Sequence, residues 1–305
     1  MSNLRIRKLR FDFDDEVPFN WNPGNPAFST YMNIVSIIAI CFEKMVVAAV
    51  KEAMPLLADP EAAEEADLFL RQEAQHAAAH RKHVRALIRH HPGLQHTLDE
   101  AIAAYDELTA STPLRYRLAY IADLEATFTP FFTMMLDHET SLFRPGDDRV
   151  ASLLVWHFVE EVEHRSSALV VYDAVVADPF YRTRVLPRVV AHLFRVTRLL
   201  CAGINAHVPP AERAIDAHTI RPLPGMIAAI RNRPGPAGGT AIERARPAFA
   251  GIGRRTKLRT ARRVLLSQNP FHDPAREPLP EFADRWFERF ARGEDVCHWY
   301  SSSPG

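Results

Sequence analysis

The stretches QEAQH, at residues 72–76, and EEVEH, at residues 160–164, decide the fold of this sequence. Each contains the spacing Glu-x-x-His, which on an α-helix places a carboxylate and an imidazole one turn apart on the same face. One such motif is weak, because glutamate and histidine are ordinary residues of helix surfaces. Two of them, each within a long helical pattern, indicate a metal site between helices. A dinuclear site then needs one carboxylate from each of two further helices.

The chain around the two motifs is predicted to be all-α. Helices are expected at about residues 29–53, 60–89, 98–108, 113–136, 149–176 and 181–204. The helix that carries the first motif has clear ends, with Asp59 as cap, Pro60 in its first turn and the stop signal of Pro92 and Gly93. Pro130 is expected to kink the fourth of these helices. No strand-like alternation is present.

Composition divides the chain into three parts. Residues 1–28 are a proline-interrupted, extended lead-in, and residues 29–205 form the helical bundle. Residues 206–305 form a basic, loop-rich extension with short helices that pack on the bundle. Within it, residues 206–267 hold twelve Lys and Arg against three Asp and Glu, with short helices at about 224–231 and 257–267. This segment either covers the mouth of the bundle and binds an anionic group or is a solvated loop region.

The overall composition excludes several classes of protein. The 305-residue chain has 37 Lys and Arg against 37 Asp and Glu, so no global charge indicates a nucleic-acid partner. Three cysteines without a C-x-x-C motif argue against a disulfide scaffold and for a reducing, cytoplasmic setting. The first residues lack the apolar core of a signal peptide. The apolar run at residues 31–50 contains Glu43 and Lys44, which favours a buried helix over a membrane span.

The first and third of the four long helices, at about residues 29–53 and 113–136, supply the missing carboxylates. Glu43 lies in an otherwise apolar helix, and Glu125 lies in the apolar run of residues 118–133. The order is therefore Glu, Glu-x-x-His, Glu, Glu-x-x-His, the ligand set of di-iron and di-manganese bundle proteins. The predicted metal ligands are Glu43, Glu73, His76, Glu125, Glu161 and His164.

Other polar residues near the motifs have open roles. His80 shares the face of Glu73, and His157 shares the face of Glu161, so each is either a further ligand or a group that orients a ligand carboxylate. Glu160, one turn before His164, is an alternative to Glu161 as ligand. Surface positions are expected for Glu163, His83, His90 and His91.

Each residue of the set also has an ordinary structural explanation. Either motif alone fits a solvated surface pair. Glu43 beside Lys44 fits a charged patch at a helix exit, and Glu125 fits a core acid paired with Arg115 or Arg117. The repeated arrangement on four successive helices favours the joint metal site.

These segments resemble the family of predicted metal-dependent hydrolases. The resemblance rests on residues 11–15, on residues 69–76 with His80, and on residues 156–165, within a similarity over about residues 5–205. Family members generally carry a turn with Pro or Gly before the first-helix Glu, where this chain has Ile40, Cys41 and Phe42. The resemblance implies a ferritin-like ligand pattern. The expected fold is a ferritin-like four-helix bundle with extra helices and a loop-rich C-terminal extension.

Three functions follow from such a site. The first hypothesis is a dinuclear non-haem iron oxidase or oxygenase that uses dioxygen and an electron donor on a small organic substrate. An apolar wall would suit it, and Phe128, Phe131, Phe132, Met134 and Met135 either form that wall or are ordinary core. The second is a dinuclear metal-dependent hydrolase, and the third a metal-binding bundle without turnover. Two iron ions are expected, with manganese, a mixed iron and manganese pair, or zinc as alternatives, and a homodimer is compatible with the sequence.

Overall fold

The computed structural model of this chain describes residues 4–220 and 246–301. Within these residues the secondary structure consists of α-helices and 3₁₀ turns without a strand, which confirms the all-α prediction. The predicted helix at residues 224–231 lies outside the described residues. The α-helices are α1 (Pro26–Ala53), α2 (Pro60–His90), α3 (Leu94–Ser111), α4 (Leu114–Leu136), α5 (Glu139–Leu142), α6 (Asp148–Glu163), α7 (Ser167–Val176), α8 (Pro179–His207), α9 (Pro210–Arg213), α10 (Arg254–Ser267) and α11 (Glu281–Ala291).

Four long segments enclose the central interior. Helix α1 packs on α2 and α4, while α6 and α7 both contact α2 and α4. This interior contains the two Glu-x-x-His motifs and both single glutamates. Helices α3 and α8 pack on each other outside it, and α8 also contacts α4. The ferritin-like classification stays a prediction, as does the division of the chain at residues 28 and 205.

Local sequence explains where α1 and α2 begin. The Asn25 side chain accepts a hydrogen bond from the Phe28 N–H, and the Asp59 side chain accepts one from the Glu61 N–H. In both helices a proline follows the cap, where its missing N–H costs nothing. The predicted cap Asp59 is therefore confirmed. At α4 the capping position is Pro113, while the Thr112 hydroxyl donates to Leu108 O.

The predicted helix over residues 149–176 is interrupted. Helix α6 ends at Glu163, and α7 begins at Ser167, so His164 stands at the break. The Arg165 guanidinium donates to Val162 O at the end of α6 and to Pro274 O in the C-terminal part of the chain. The break is thus stabilised by a contact from a distant segment, because helix-end carbonyls need donors from outside the helix.

The extended lead-in is part of the core. Phe11, Phe13, Phe19 and Trp21 are all buried. Trp21 lies so close to the chain at Gly146 that a Cβ there would approach its ring to 2.4 Å. The lead-in therefore packs on the helices as the sequence suggests.

Among residues 4–220 and 246–301, two helices are long and apolar enough to cross a membrane by length and composition alone. They are the Pro26–Leu56 segment, which includes α1, and α8. In the first, 72% of the apolar window is buried inside the protein, which is the burial expected for a core helix. Its Lys44 faces outward and pairs with Asp106 at 2.7 Å.

Candidate metal centre

Seven buried side chains from four helical segments meet in the central interior. They form two groups of four, and within each group the potential ligand atoms all lie within 4.8 Å of one another. The first group consists of Glu43, His76, His157 and Glu161, and the second of Glu73, Glu125, Glu161 and His164. The six predicted ligands and His157 are thus brought together, in an arrangement compatible with a dinuclear metal site.

Glu161 belongs to both groups. Its Oε1 lies 2.8 Å from His157 Nε2 and 3.4 Å from His76 Nδ1, while its Oε2 lies 3.2 Å from His164 Nε2. One carboxylate therefore turns one oxygen toward each group. A carboxylate between two cations reduces their mutual repulsion, which is the geometry a dinuclear centre needs.

The single glutamates of α1 and α4 face the same space. Glu43 Oε1 lies 3.3 Å from His157 Nε2, and Glu125 Oε2 lies 3.6 Å from His164 Nε2. The structure does not support the alternative partners of Glu125. Arg117 pairs with Glu52 at 2.8 Å, and Arg115 lies over the Tyr181 ring.

Several atoms of the centre lack hydrogen bonds to the described residues. Both carboxylate oxygens of Glu73 and of Glu125 have none, nor have Glu43 Oε2 and His76 Nδ1. Buried carboxylate oxygens without partners are costly, because they have lost the hydrogen bonds of water. Divalent cations would satisfy these atoms, so the residues present fit a metal pair.

Burial and mutual repulsion disturb the titration of the glutamates. Burial, with the charge of Glu161 next, raises the pKa of Glu73 to about 7. Burial and neighbouring carboxylates also raise the pKa of Glu43 and Glu125 well above their ordinary range. Burial opposes ionisation of Glu161 as well, but the positive His164 and hydrogen bonds from His157 outweigh it and hold the pKa of Glu161 well below its usual value. Positive charge close to Glu43, Glu73 and Glu125 would therefore favour their ionised forms.

The pKa values of the four imidazoles shift in two directions. For His76 and His164, burial disfavours the charged form, but the facing carboxylates outweigh it and raise the pKa of both, that of His76 to about 9. For His157, burial and then the neighbouring His76 lower the pKa to about 4. Burial and His157 lower the pKa of His80 well below its usual value.

His80 stands behind His157 rather than in either group. Its Nε2 lies 2.8 Å from His157 Nδ1, and its Nδ1 lies 3.1 Å from Ser36 Oγ. This leaves His157 Nε2 directed at the carboxylates. The open role of the two histidines thus resolves geometrically, with His157 among the potential ligands and His80 holding it.

Two predicted surface positions, those of His83 and His91, are wrong, and that of Glu163 is only partly exposed. His83 is fully buried, where its Nδ1 lies 3.2 Å from Ser36 Oγ, and His91 is only 6% exposed. Glu163 is held by Arg7, with its side chain 13% exposed. His90 is exposed as predicted. The errors share a cause, because the burying partners come from other segments.

Glu160 was an alternative ligand, but it lies outside both groups. It is fully buried, and its Oε2 lies 2.9 Å from His76 Nε2. Its Oε1 accepts a hydrogen bond from Arg7. The preference for Glu161 over Glu160 agrees with this geometry. The arginine behind Glu160 is a feature that the sequence reasoning did not include.

Aromatic side chains line the centre. The Trp156 and Phe69 rings lie against His76 and His164, with centroids 5.0 and 4.9 Å apart respectively. Phe132 stacks on Phe158 at 4.0 Å and approaches His157. Of the predicted apolar wall, Phe132, Met134 and Met135 are buried, while Phe128 and Phe131 are partly buried.

An open cleft lies elsewhere, between the end of α4 and residues 276–281. It has a volume of about 500 Å³ and includes Thr133, Asp137 and Arg263 in its lining. None of the potential metal ligands lines this cleft. Its charges are partly paired, since Arg263 contacts Glu277.

The comparisons with known proteins agree with the metal-site chemistry. A profile of the family described as "predicted metal-dependent hydrolase" matches residues 5–219, which include both motifs and both single glutamates. No curated protein and no solved structure matches the chain. Since the family match spans most of the chain, the protein belongs to the family of predicted metal-dependent hydrolases.

Proposed function

We propose that this protein is a hydrolase whose two divalent cations are held by the seven clustered side chains. The observation that carries the proposal is the pair of four-residue groups that share Glu161. Family membership favours hydrolysis over the iron oxidase that the ligand pattern alone suggests. When bound, the cations would lower the pKa of water and polarise the carbonyl or phosphoryl oxygen of a substrate.

The chain's own residues have three tasks in this proposal. Glu43, His76 and His157 would hold one cation, Glu73, Glu125 and His164 would hold the other, and Glu161 belongs to both groups. The surrounding rings of Phe69, Trp156 and Phe132 exclude bulk water, which strengthens electrostatic interactions inside.

The test is hydrolysis by the full chain after removal and replacement of metal. Separate samples receive Zn²⁺, Mn²⁺ or Fe²⁺ under anaerobic conditions and are assayed on carboxylic ester, amide and phosphate ester panels. We expect turnover only with metal, retained without dioxygen and lost in Glu73→Ala. Glu64→Ala, an exposed residue of the same helix, is the matched control. Metal-loaded protein that hydrolyses none of the panels would contradict the proposal.

A dinuclear iron oxidase or oxygenase is the second candidate. The observation that favours it is the carboxylate-rich donor set beside the Phe132 and Phe158 stack, a dry environment suited to oxidation. Iron would supply the electrons for reduction of dioxygen. Consumption of dioxygen by the ferrous protein, without hydrolysis under anaerobic conditions, would support this candidate. Stoichiometric metal binding with neither activity would favour a non-catalytic bundle.

The cellular location is proposed to be the cytoplasm. Cys41, Cys201 and Cys297 are free thiols, and Cys41 and Cys201 are buried. Unpaired buried thiols suit a reducing compartment.

A further inference from the structure

One arginine of the lead-in reaches the outer side of the metal centre. Arg7 is only 4% exposed, although it lies in an extended segment before the first helix. Its guanidinium donates to Glu160 Oε1 at 3.2 Å and to both oxygens of Glu163, at 2.7 and 2.6 Å. It also lies 4.5 Å from the centroid of the Phe287 ring of α11. The arginine is therefore fixed from two sides.

The first branch of this network, through Glu160, determines which ring nitrogen of His76 carries a hydrogen. The Glu160 carboxylate accepts from Arg7 through Oε1 and lies 2.9 Å from His76 Nε2 through Oε2. A carboxylate that accepts from an arginine at one oxygen also accepts at the other, so we assign the hydrogen of this contact to His76 Nε2. The nitrogen without a hydrogen-bond partner, Nδ1, is the one that faces Glu161.

The second branch, through Gln72, determines which ring nitrogen of His164 carries a hydrogen. Gln72 Nε2 donates to Arg5 O at 3.1 Å and to Glu163 Oε2 at 3.0 Å. Because both partners are acceptors, the amide oxygen of Gln72 must point the other way, and it lies 3.0 Å from His164 Nδ1. His164 Nδ1 therefore carries the hydrogen, and Nε2 faces the carboxylates.

We propose that Arg7, Glu160 and Gln72 are positioning residues that select the metal-binding nitrogen of each histidine, Nδ1 of His76 and Nε2 of His164. The proposal rests on the proposed metal centre. The branches are separate, since Glu160 serves the group that contains Glu43 and Gln72 serves the group that contains Glu125. Arg7 connects both branches. Groups that orient ligand imidazoles typically contribute about 10- to 100-fold in metal affinity.

The test is Co²⁺ titration of the full chain in backgrounds that retain one group each. Glu125→Gln leaves the His76 group intact, and Glu43→Gln leaves the His164 group intact. We expect Glu160→Leu to lower Co²⁺ affinity about 10- to 100-fold only in the Glu125→Gln background. Gln72→Leu should do so only in the Glu43→Gln background. Arg7→Met should weaken both sites.

A conservative variant and the helical content of the variants distinguish a positioning role from a loss of folding. Glu160→Gln keeps an acceptor for His76 Nε2 and should restore most of the affinity that Glu160→Leu loses. Equal losses at both sites from Glu160→Leu, or no rescue by Glu160→Gln in a protein with normal helical content, would overturn the proposal.

A measurement without metal distinguishes this proposal from the function proposed above. In ¹⁵N-histidine-labelled metal-free protein, the imidazole N–H signals of His76 Nε2 and His164 Nδ1 should exchange slowly with water. Glu160→Leu should abolish the first signal and Gln72→Leu the second. If both persist in these variants, the positioning roles are wrong. If wild-type protein binds no divalent cation, the metal centre is wrong whatever the signals show.

Discussion

Helix α4 carries two buried carboxylates, and the surroundings of the two differ. Asp123 faces Arg182 of α8, at 3.7 Å from its Nε, where burial raises the pKa of Asp123 to about 8 despite the arginine. Glu125 faces the clustered glutamates, with His164 3.6 Å from its Oε2. At Asp123 the positive charge comes from the chain itself, as the guanidinium of Arg182. At Glu125 the chain gathers further acids, which indicates that cations come from solution.

The Arg182 junction is also a structural clamp. The guanidinium donates to Ala122 O, Ser267 O and Asn269 O, and so joins α4 and the end of α10 to α8. The nearby Gln268 amide donates to Asp123 O. We therefore expect substitutions at the Arg182 junction to lower the stability of the fold, and substitutions among the clustered glutamates to lower metal binding.

The largest expected effect is on metal content. Glu161→Ala removes the carboxylate shared by both groups, so we expect both ions to be lost while helical content is retained. Metal analysis of purified protein, with circular dichroism alongside, checks this. Glu64→Ala should keep the wild-type metal content. Two ions per chain in Glu161→Ala would remove the distinction between the centre and the Arg182 junction.

The second effect is on stability at the other site. Arg182→Met removes the donor to three carbonyls, two of them in buried contacts, and we expect a loss of about 3 kcal/mol in the free energy of unfolding. Denaturant unfolding measures it, and the metal content should not change. Arg184→Met, whose side chain is largely exposed, should change stability little. Loss of metal without loss of stability would reverse the assignment of the two sites.

The third expected effect is a pH dependence of the stability of the metal-free protein, which arises from Glu73. In metal-free protein the folded pKa of Glu73, about 7, lies above its ordinary value of 4.5. The unfolded chain thus loses this proton first, and Glu73 lowers stability progressively as pH rises from 4.5 to 7. Glu73→Gln should therefore gain stability over wild type across this window, on the order of 3 kcal/mol at its upper end. Unfolding at several pH values checks this, and a difference independent of pH would contradict it.

The local patterns predicted the centre because helical spacing determines which side chains share a face. Glu73 and His76 lie one turn apart, and the four glutamates lie on α1, α2, α4 and α6, so their convergence required only that these helices pack together. The same reasoning predicts Asp59 and Thr112 as helix caps, and only Asp59 is confirmed, since the Thr112 hydroxyl donates to a carbonyl of the preceding helix instead.

The features that the sequence did not predict depend on contacts between distant segments of the chain. The break at His164 contains neither proline nor glycine, and Arg165 stabilises it by reaching Pro274. The burial of Glu163 requires Arg7, and that of His83 involves Ser36 and Phe13. Helical periodicity describes one segment at a time, so it contains no information on these partners.

The position of Arg7 between the centre and α11 also bears on the order of events during synthesis. Arg7 is synthesised long before Trp286, Phe287 and Phe290, whose rings surround its guanidinium. All seven clustered residues precede α11 in the chain. The acids and imidazoles are therefore available to cations before their outer support is complete. Under the proposed positioning roles, the support of His76 and His164 is therefore complete only after α11 has been made.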